Sequence, residues 1–316
     1  MPGKPHYFLV TDYVPDGFTE AIESMGYHVD YLPVLDNIQL GAIIDRYQGM
    51  VISTHVTLDK LMLERAARLK YILRPGSGLD NVDLDFARLQ GITVFNSPEA
   101  NSVAVAEHAI GLLFGLVNNI PRAFEAVKQH KWLRQENTGT RILGKTIGII
   151  GYGHTGSAFA VRIQSFGMRI LVYDKYKSGF GNSIIEETTL QAILENAEII
   201  SLHIPLTPET HHFVNDKFIQ KAGKPFFLLN TSRGKIVDTA SLMDGIKSKK
   251  IRGAALDVLE NEKLETYSTN EKAQLNELIA TGHVIITPHI AGWTTESRKE
   301  IFFAVLENFR DFLKLG

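Results

Sequence analysis

The chain of 316 residues contains no cysteine. That absence excludes a disulfide framework, a thiolate zinc site and a cysteine nucleophile, and nothing then calls for an oxidising compartment. A charge bias is also missing. The formal net charge is −2, which gives no electrostatic case for nucleic acid or an anionic membrane surface. The densest basic cluster, Lys247, Lys249, Lys250 and Arg252, reads as a solvated helix end. Long apolar runs are absent too: the longest internal one, residues 109–117, is well short of the roughly 20 residues that cross a bilayer. The apolar run near the N-terminus is too short for a secretory signal. A cytoplasmic protein with neither nucleic-acid nor membrane partners is the expectation.

What is present suits two α/β domains. Hydrophobic residues make up 44% and charged residues 22%, the balance of a globular protein, and the length accommodates two domains. Short β-rich runs at 7–10, 49–53, 70–74 and 92–95 alternate with amphipathic segments such as 58–69, the pattern of a parallel sheet covered by helices. Residues 101–119 form a long apolar helix, and a polar arm then leads into a second series. Six strands, at 146–150, 169–173, 198–204, 225–230, 253–258 and 283–287, suit a doubly wound dinucleotide domain. The helix at 294–315 has no strand left to serve there, so it is expected to cross back onto the first domain.

Residues 145–160 read KTIGIIGYGHTGSAFA. Gly151, Gly153 and Gly156 follow a β-branched strand and open a helix, which is the context that a G-x-G-x-x-G run needs to bind a dinucleotide. Gly151 makes the tight turn, Gly153 admits a pyrophosphate to the backbone, and Gly156 lets helix and strand approach. The helix N-terminus offers free N–H groups to the anion. Asp174 ends the next strand eighteen residues after Gly156, placed to accept from ribose hydroxyls and to disfavour a 2′-phosphate. NAD is the expected cofactor, although Lys175 and Lys177 stand nearby.

Across nearly its whole length the chain resembles the D-isomer-specific 2-hydroxyacid dehydrogenases. The matching stretches are RPGSGLDNVDL (74–84), NSVAVAEHAIGLL (101–113), GYGHTG (151–156), SLHIPLTPETHHFVN (201–215), LNTSRGKIVD (229–238), GAALDVLENE (253–262) and TPHIAG (287–292). The resemblance implies two doubly wound parallel-sheet domains. A flavodoxin-like substrate domain takes residues 1–98 and 292–316, and a Rossmann NAD-binding domain takes 99–291. It also implies a homodimer and an active site in the cleft between the domains, hinged near 98–101 and 292–294.

By residue, the resemblance gives Arg233 as the substrate-binding arginine, Glu262 as the acid and His289 as the acid/base. Glu262 is followed by Lys263 where the family usually has Pro, and Glu260 and Glu265 remain alternatives. Ser77 and Gly78 belong to the loop whose amides hold the substrate carboxylate. His154, where many members carry Arg, and Thr155 face the pyrophosphate. His203, Pro205, Thr231 and Asp257 line the adenine and nicotinamide parts of the pocket, with a strand-end cap as the other reading of Asp257. No metal is expected: His211 and His212 adjoin without a third ligand at suitable spacing and read as solvent-facing.

These residue types suit reduction of a 2-keto acid. An arginine fork can hold a carboxylate and reach the carbonyl oxygen, which lysine cannot do with the same geometry. Histidine titrates near working pH and so can carry the proton. The resemblance lies nearest the phosphoglycerate dehydrogenase branch of serine biosynthesis, pointing to 3-phosphoglycerate and 3-phosphohydroxypyruvate, with Arg74 and Arg134 as phosphate partners. Ser53 stands where that branch often has another arginine, and Arg74 has the alternative of buttressing the carboxylate loop. The competing readings are a glyoxylate or hydroxypyruvate reductase and a non-catalytic, NAD-sensing scaffold.

Overall fold

The structure, a computed structural model, describes residues 6–315. It divides into two compact units, one running to Asn101 and resuming at Trp293, the other spanning Ser102–Gly292. Each unit carries one parallel sheet.

In the first unit the strands are β1 (His6–Val10), β2 (Tyr27–Tyr31), β3 (Gly49–Val51), β4 (Tyr71–Arg74) and β5 (Thr93–Asn96), ordered β2-β1-β3-β4-β5, as in flavodoxin-like sheets. Successive side chains point to opposite faces. Leu9, Met50 and Ile72 therefore pack on one side with Leu40, Leu63 and Ala87. Phe8, Val10, Val51 and Leu73 pack on the other with Phe18, Ile22 and four residues of the last helix, Thr295–Leu315: Phe302, Val305, Leu306 and Phe309.

β2 is a strand that the run-based reading missed. Its sequence YHVDY is mostly exposed, because an edge strand need not be a continuous apolar run. The amphipathic segment 58–69 shrinks to a helix over Lys60–Arg65, capped by the Asp59 side chain on the Met62 amide.

The second unit holds β6 (Thr146–Ile150), β7 (Arg169–Tyr173), β8 (Ile185–Glu187), β9 (Ile199–Leu202), β10 (Phe226–Asn230), β11 (Ile251–Leu256) and β12 (Val284–Ile286). Their order is β12-β11-β10-β9-β6-β7-β8, a Rossmann order with one strand added at the edge. Seven strands stand where six were expected; β8 is a three-residue edge strand with two exposed glutamates.

The helices Ser102–Val117 and His154–Ile163 cover one face through Ala109, Leu113 and Phe159. Helices carrying Ile193, Phe218 and Leu242 cover the other. The polar arm is partly helical, Ile120–Lys128. Pro121 sits in the first turn, where its missing N–H forfeits no helical bond. Chain direction from sheet centre to edge reverses between β6 and β9, so the loops leaving these strands flank the crevice where open α/β sheets bind ligands.

Candidate active site

β6 delivers the chain to Gly151, whose φ of 97° lies in the left-handed region. A Cβ there would collide with the His203 carbonyl oxygen, and one on Gly156 with the Gly151 carbonyl oxygen. These two glycines let strand, turn and helix close on one another. Gly153 differs: a Cβ added to it meets nothing within 4 Å. The protein's own packing does not require glycine there, so the open space suits an incoming group. Gly153 is also the N-cap of the His154–Ile163 helix and makes no side-chain capping bond. The first-turn amides, those of His154 and Thr155 among them, are thus available to an anion.

Asp174 follows β7 and closes this turn. Its Oδ2 accepts from the Tyr152 amide at 2.7 Å, and its Oδ1 accepts from the Tyr176 and Lys177 amides, each at 2.9 Å. Burial pushes its carboxyl up, but the three N–H groups and the Lys177 ammonium outweigh this and hold it below the ordinary range. Lys177 donates to the Tyr152 carbonyl, and Lys175 pairs with Glu209. Both lysines therefore have partners other than a 2′-phosphate.

On the far side of the switch point, His203 shares a 2.8 Å bond with Ser201 through Nε2. Burial pushes its imidazole down to about 3. Its Nδ1 and the Thr231 Oγ1 are buried with no partner among the described residues. Buried polar atoms are normally paired, so these two are positions that a ligand's polar groups would complete. The Pro205 carbonyl accepts from Thr210 Oγ1 at 2.7 Å, pinning that loop. Open cradle, uncapped amides, an ionised acceptor and two orphaned polar atoms together fit a dinucleotide.

Arg233 stands on the loop after β10. Asn230, wholly buried at the strand end, accepts from the Ser232 amide at 3.0 Å and donates to the Arg233 carbonyl at 2.9 Å. Ser232 Oγ donates to the Leu202 carbonyl at 2.6 Å. The loop is thereby tied to two strands, and a Cβ on Gly234 would collide with the Leu259 carbonyl oxygen. Arg233 itself donates from Nη1 to the Ser232 carbonyl at 2.7 Å. Asn230 and Ser232 hold the loop that carries Arg233, and the sequence reading passed over both; the signal was a polar residue ending the apolar run PFFLLN.

The acid and the histidine meet. His289 Nδ1 and Glu262 Oε2 are 2.8 Å apart, both groups half exposed. Glu260 is committed elsewhere: Oε2 lies 2.7 Å from His212 Nε2, and Oε1 accepts from the Thr239 amide at 2.7 Å. His212 also lies 3.5 Å from Asp238 and is half buried, so only His211 of the adjoining pair faces solvent. The segment is a turn.

Asp257 is buried at 1% exposure and engages the turn bearing His289. Oδ1 accepts from Thr287 Oγ1 at 2.5 Å and the Ile290 amide at 2.9 Å, and Oδ2 from the Ala291 amide at 2.8 Å. This is the strand-end capping role. Among the described residues no group of three or more His, Cys, Asp or Glu could hold a metal ion.

In the first unit, Arg74 closes β4 and donates to the Pro75 carbonyl, folding onto its own loop. Ser97 Oγ accepts from the Gly76 amide and Asn96 donates to the Ser77 carbonyl, at 2.9 and 3.0 Å. The Ser77–Gly78 turn is thus held from β5 with Ser77 exposed. Ser53 Oγ pairs with His55 at 2.6 Å, and Arg134 is exposed on the arm.

Residues 110–291 match the NAD-binding domain of the D-isomer-specific 2-hydroxyacid dehydrogenases. A D-3-phosphoglycerate dehydrogenase of Synechocystis is 33% identical over 310 residues, covering 96% of this chain but 54% of that protein. The chain thus spans about half the length of that relative. A hydroxypyruvate reductase of Thermotoga maritima is 35% identical over 284 residues, 89% of each chain. The structure of a D-lactate dehydrogenase from Aquifex aeolicus, complexed with NAD and lactic acid, superposes with a TM-score of 0.85 at 29% identity, covering 98% of this chain and 96% of that one.

Proposed function

We propose that this chain, which belongs to the D-isomer-specific 2-hydroxyacid dehydrogenase family, is an NAD-dependent oxidoreductase interconverting a small 2-hydroxy acid and its 2-keto form. The observation that carries this reading is the 2.8 Å pairing of His289 with Glu262, on the same unit as the glycine cradle and Arg233. A scaffold that only sensed the nucleotide would have no use for a paired acid and histidine together with an ordered arginine loop.

When bound, NADH supplies the hydride. Gly153 and the first-turn amides seat the pyrophosphate, and Asp174 accepts from the ribose. Arg233 binds the carboxylate and polarises the carbonyl of the keto acid. Glu262 holds Nδ1–H of His289, which leaves Nε2 to deliver its proton to the carbonyl oxygen. In the reverse direction Nε2 would serve as the base that takes the hydroxyl proton. The amides of Ser77 and Gly78 are proposed as carboxylate contacts.

For the substrate, 3-phosphohydroxypyruvate is the first reading, supported by the likeness to D-3-phosphoglycerate dehydrogenases. Arg74 and Arg134 are its phosphate partners. A second reading, hydroxypyruvate, is favoured by the likeness to the Thermotoga reductase and by the Arg74 side chain folding onto its own loop. We further propose a cytoplasmic homodimer. The deciding experiment compares kcat/KM for phosphohydroxypyruvate and hydroxypyruvate in wild type and Arg74→Ala. A preference for the phosphorylated acid that Arg74→Ala abolishes supports the first reading. No phosphate advantage in wild type transfers the assignment to hydroxypyruvate, and no turnover of any 2-keto acid overturns the enzyme reading.

A further inference from the structure

His289 adopts φ 54°, a left-handed backbone that is unfavourable for a residue bearing a Cβ. Such a conformation persists only where its surroundings over-determine it. Here the surroundings can be named. The His289 amide is shared by the Asp257 carbonyl at 2.8 Å and the Thr287 carbonyl at 3.0 Å. The two amides after it, of Ile290 and Ala291, are held by the two oxygens of the Asp257 carboxylate. The turn that presents His289 is thus wrapped around one buried carboxylate.

That carboxylate has a further partner on a different element. The helix Ser102–Val117 carries His108, whose side chain is 23% exposed and whose Nε2 lies 3.6 Å from Asp257 Oδ1. The same Nε2 lies 3.1 Å from Thr287 Oγ1. A hydroxyl has one proton. Thr287 gives its proton to Asp257 Oδ1 at 2.5 Å, so it can only accept from the histidine, and His108 must carry hydrogen on Nε2. The result is a directed chain, from His108 Nε2–H to the Thr287 hydroxyl to the Asp257 carboxylate. Hydrogen bonds in series polarise one another, and a carboxylate taken out of water is costly unless donors surround it.

We propose that His108 is a positioning residue for His289, acting through Thr287 and Asp257 to hold the left-handed turn in the geometry that proton transfer needs. The role rests on the reading of His289 as acid/base. Among the described residues His108 bonds Thr287 and Asp257, and it has no hydrogen bond or ion pair to the glycine cradle, Asp174, His203 or Thr231. Its loss therefore acts on turnover and leaves NADH binding unaffected.

The test uses the full chain with His108→Leu, which keeps a comparable volume without a donor, and His108→Gln, whose side-chain amide can still donate to Thr287. For His108→Leu we expect kcat to fall about tenfold, the cost of one charge-supporting hydrogen bond. KM for the keto acid and the NADH dissociation constant should stay within about twofold, with His108→Gln recovering most of the rate. Hydrogen exchange supplies a readout that needs no catalysis: the Ile290 and Ala291 amides should lose protection in His108→Leu before the sheet amides do. A wild type that turns over no 2-keto acid removes the acid/base reading, while the exchange result still decides whether His108 holds the turn. Unchanged kcat together with unchanged protection overturns the proposal, as does a His108→Gln variant no better than His108→Leu.

Discussion

Glu262 Oε2 sits 2.8 Å from His289 Nδ1, across 27 residues of chain, whereas Glu260, two residues earlier, is bound to His212 and the Thr239 amide. Two acids in one short acidic segment thus have separate tasks. One orients the imidazole, and the other anchors the segment that carries the first.

The first prediction separates these acids. His289→Ala should lower turnover about 10²–10⁴-fold, the usual worth of a positioned acid/base. Glu262→Gln keeps shape and weakens a charged hydrogen bond to a neutral one, so a loss of about tenfold is expected. Glu265→Gln should behave as wild type. Steady-state kinetics on the three variants check this, and a silent Glu262→Gln would remove that residue from the site. Arg233→Lys should also be poor, because a point charge replaces a fork.

A second prediction divides the glycines by what surrounds them. Gly156→Ala places a methyl against the Gly151 carbonyl oxygen and should lower Tm. Gly153→Ala meets nothing and should leave Tm nearly unchanged while weakening NADH binding at least about tenfold, since the backbone can no longer approach the pyrophosphate. Thermal melts and cofactor titrations by fluorescence distinguish the two. Equal NADH affinity in Gly153→Ala and wild type would contradict the cradle.

Asp174 supports a third. With its carboxyl held below the ordinary range, it contributes stability that is present above the unfolded value, about 3.9, and is lost as pH falls through the lower folded value. Asp174→Asn should therefore flatten the acid end of the stability profile. The same variant should narrow the preference for NADH over NADPH. An unaltered coenzyme ratio would shift the discrimination to other residues.

His203 gives a fourth, of opposite origin. Burial lowers its imidazole from the ordinary 6.5 to about 3, so the unfolded chain binds a proton that the folded one refuses. Stability is lost as pH falls below about 6.5, and the loss accumulates down to about 3. The His203 ring resonances should stay constant from pH 8 to 5 by NMR. His203→Gln should reduce the acid sensitivity, and a mid-range titration of His203 would refute the assignment.

How much of this was legible in the sequence depended on whether packing or partnership decided the element. The central strands could be read because parallel strands buried on both faces are continuous apolar runs; β6, TIGII, is buried at every position. Strands β2 and β8 could not, since their side chains are exposed and only pairing with β1 and β7 makes them strands. The glycine loop was readable because its spacing states its geometry. The resemblance gave Glu262 as the acid, but the bonding of Glu260 was not legible, because it turns on His212, a residue 48 positions away whose turn conformation no local pattern reveals. Asn230 and Thr287 escaped for a related reason: Asn230 matters through the backbone amide and carbonyl that it bonds, and Thr287 through the side chains of Asp257 and His108, and neither partnership leaves a mark on residue type.

The last helix brings Phe302, Val305, Leu306 and Phe309 to a face of the first sheet whose strands all precede residue 101. During synthesis, the whole of Ser102–Gly292 is made before that cover emerges. At about 5–20 residues per second this leaves the face bare for roughly 10–40 s, far longer than the microseconds of collapse. The second unit can complete its core in that interval, while the first waits with Phe8, Val10 and Phe18 uncovered, a client for chaperones by order of manufacture. Ribosome-stalled chains ending after Gly292 should bind a hydrophobic dye and yield to protease within the first hundred residues. Chains released at full length should do neither.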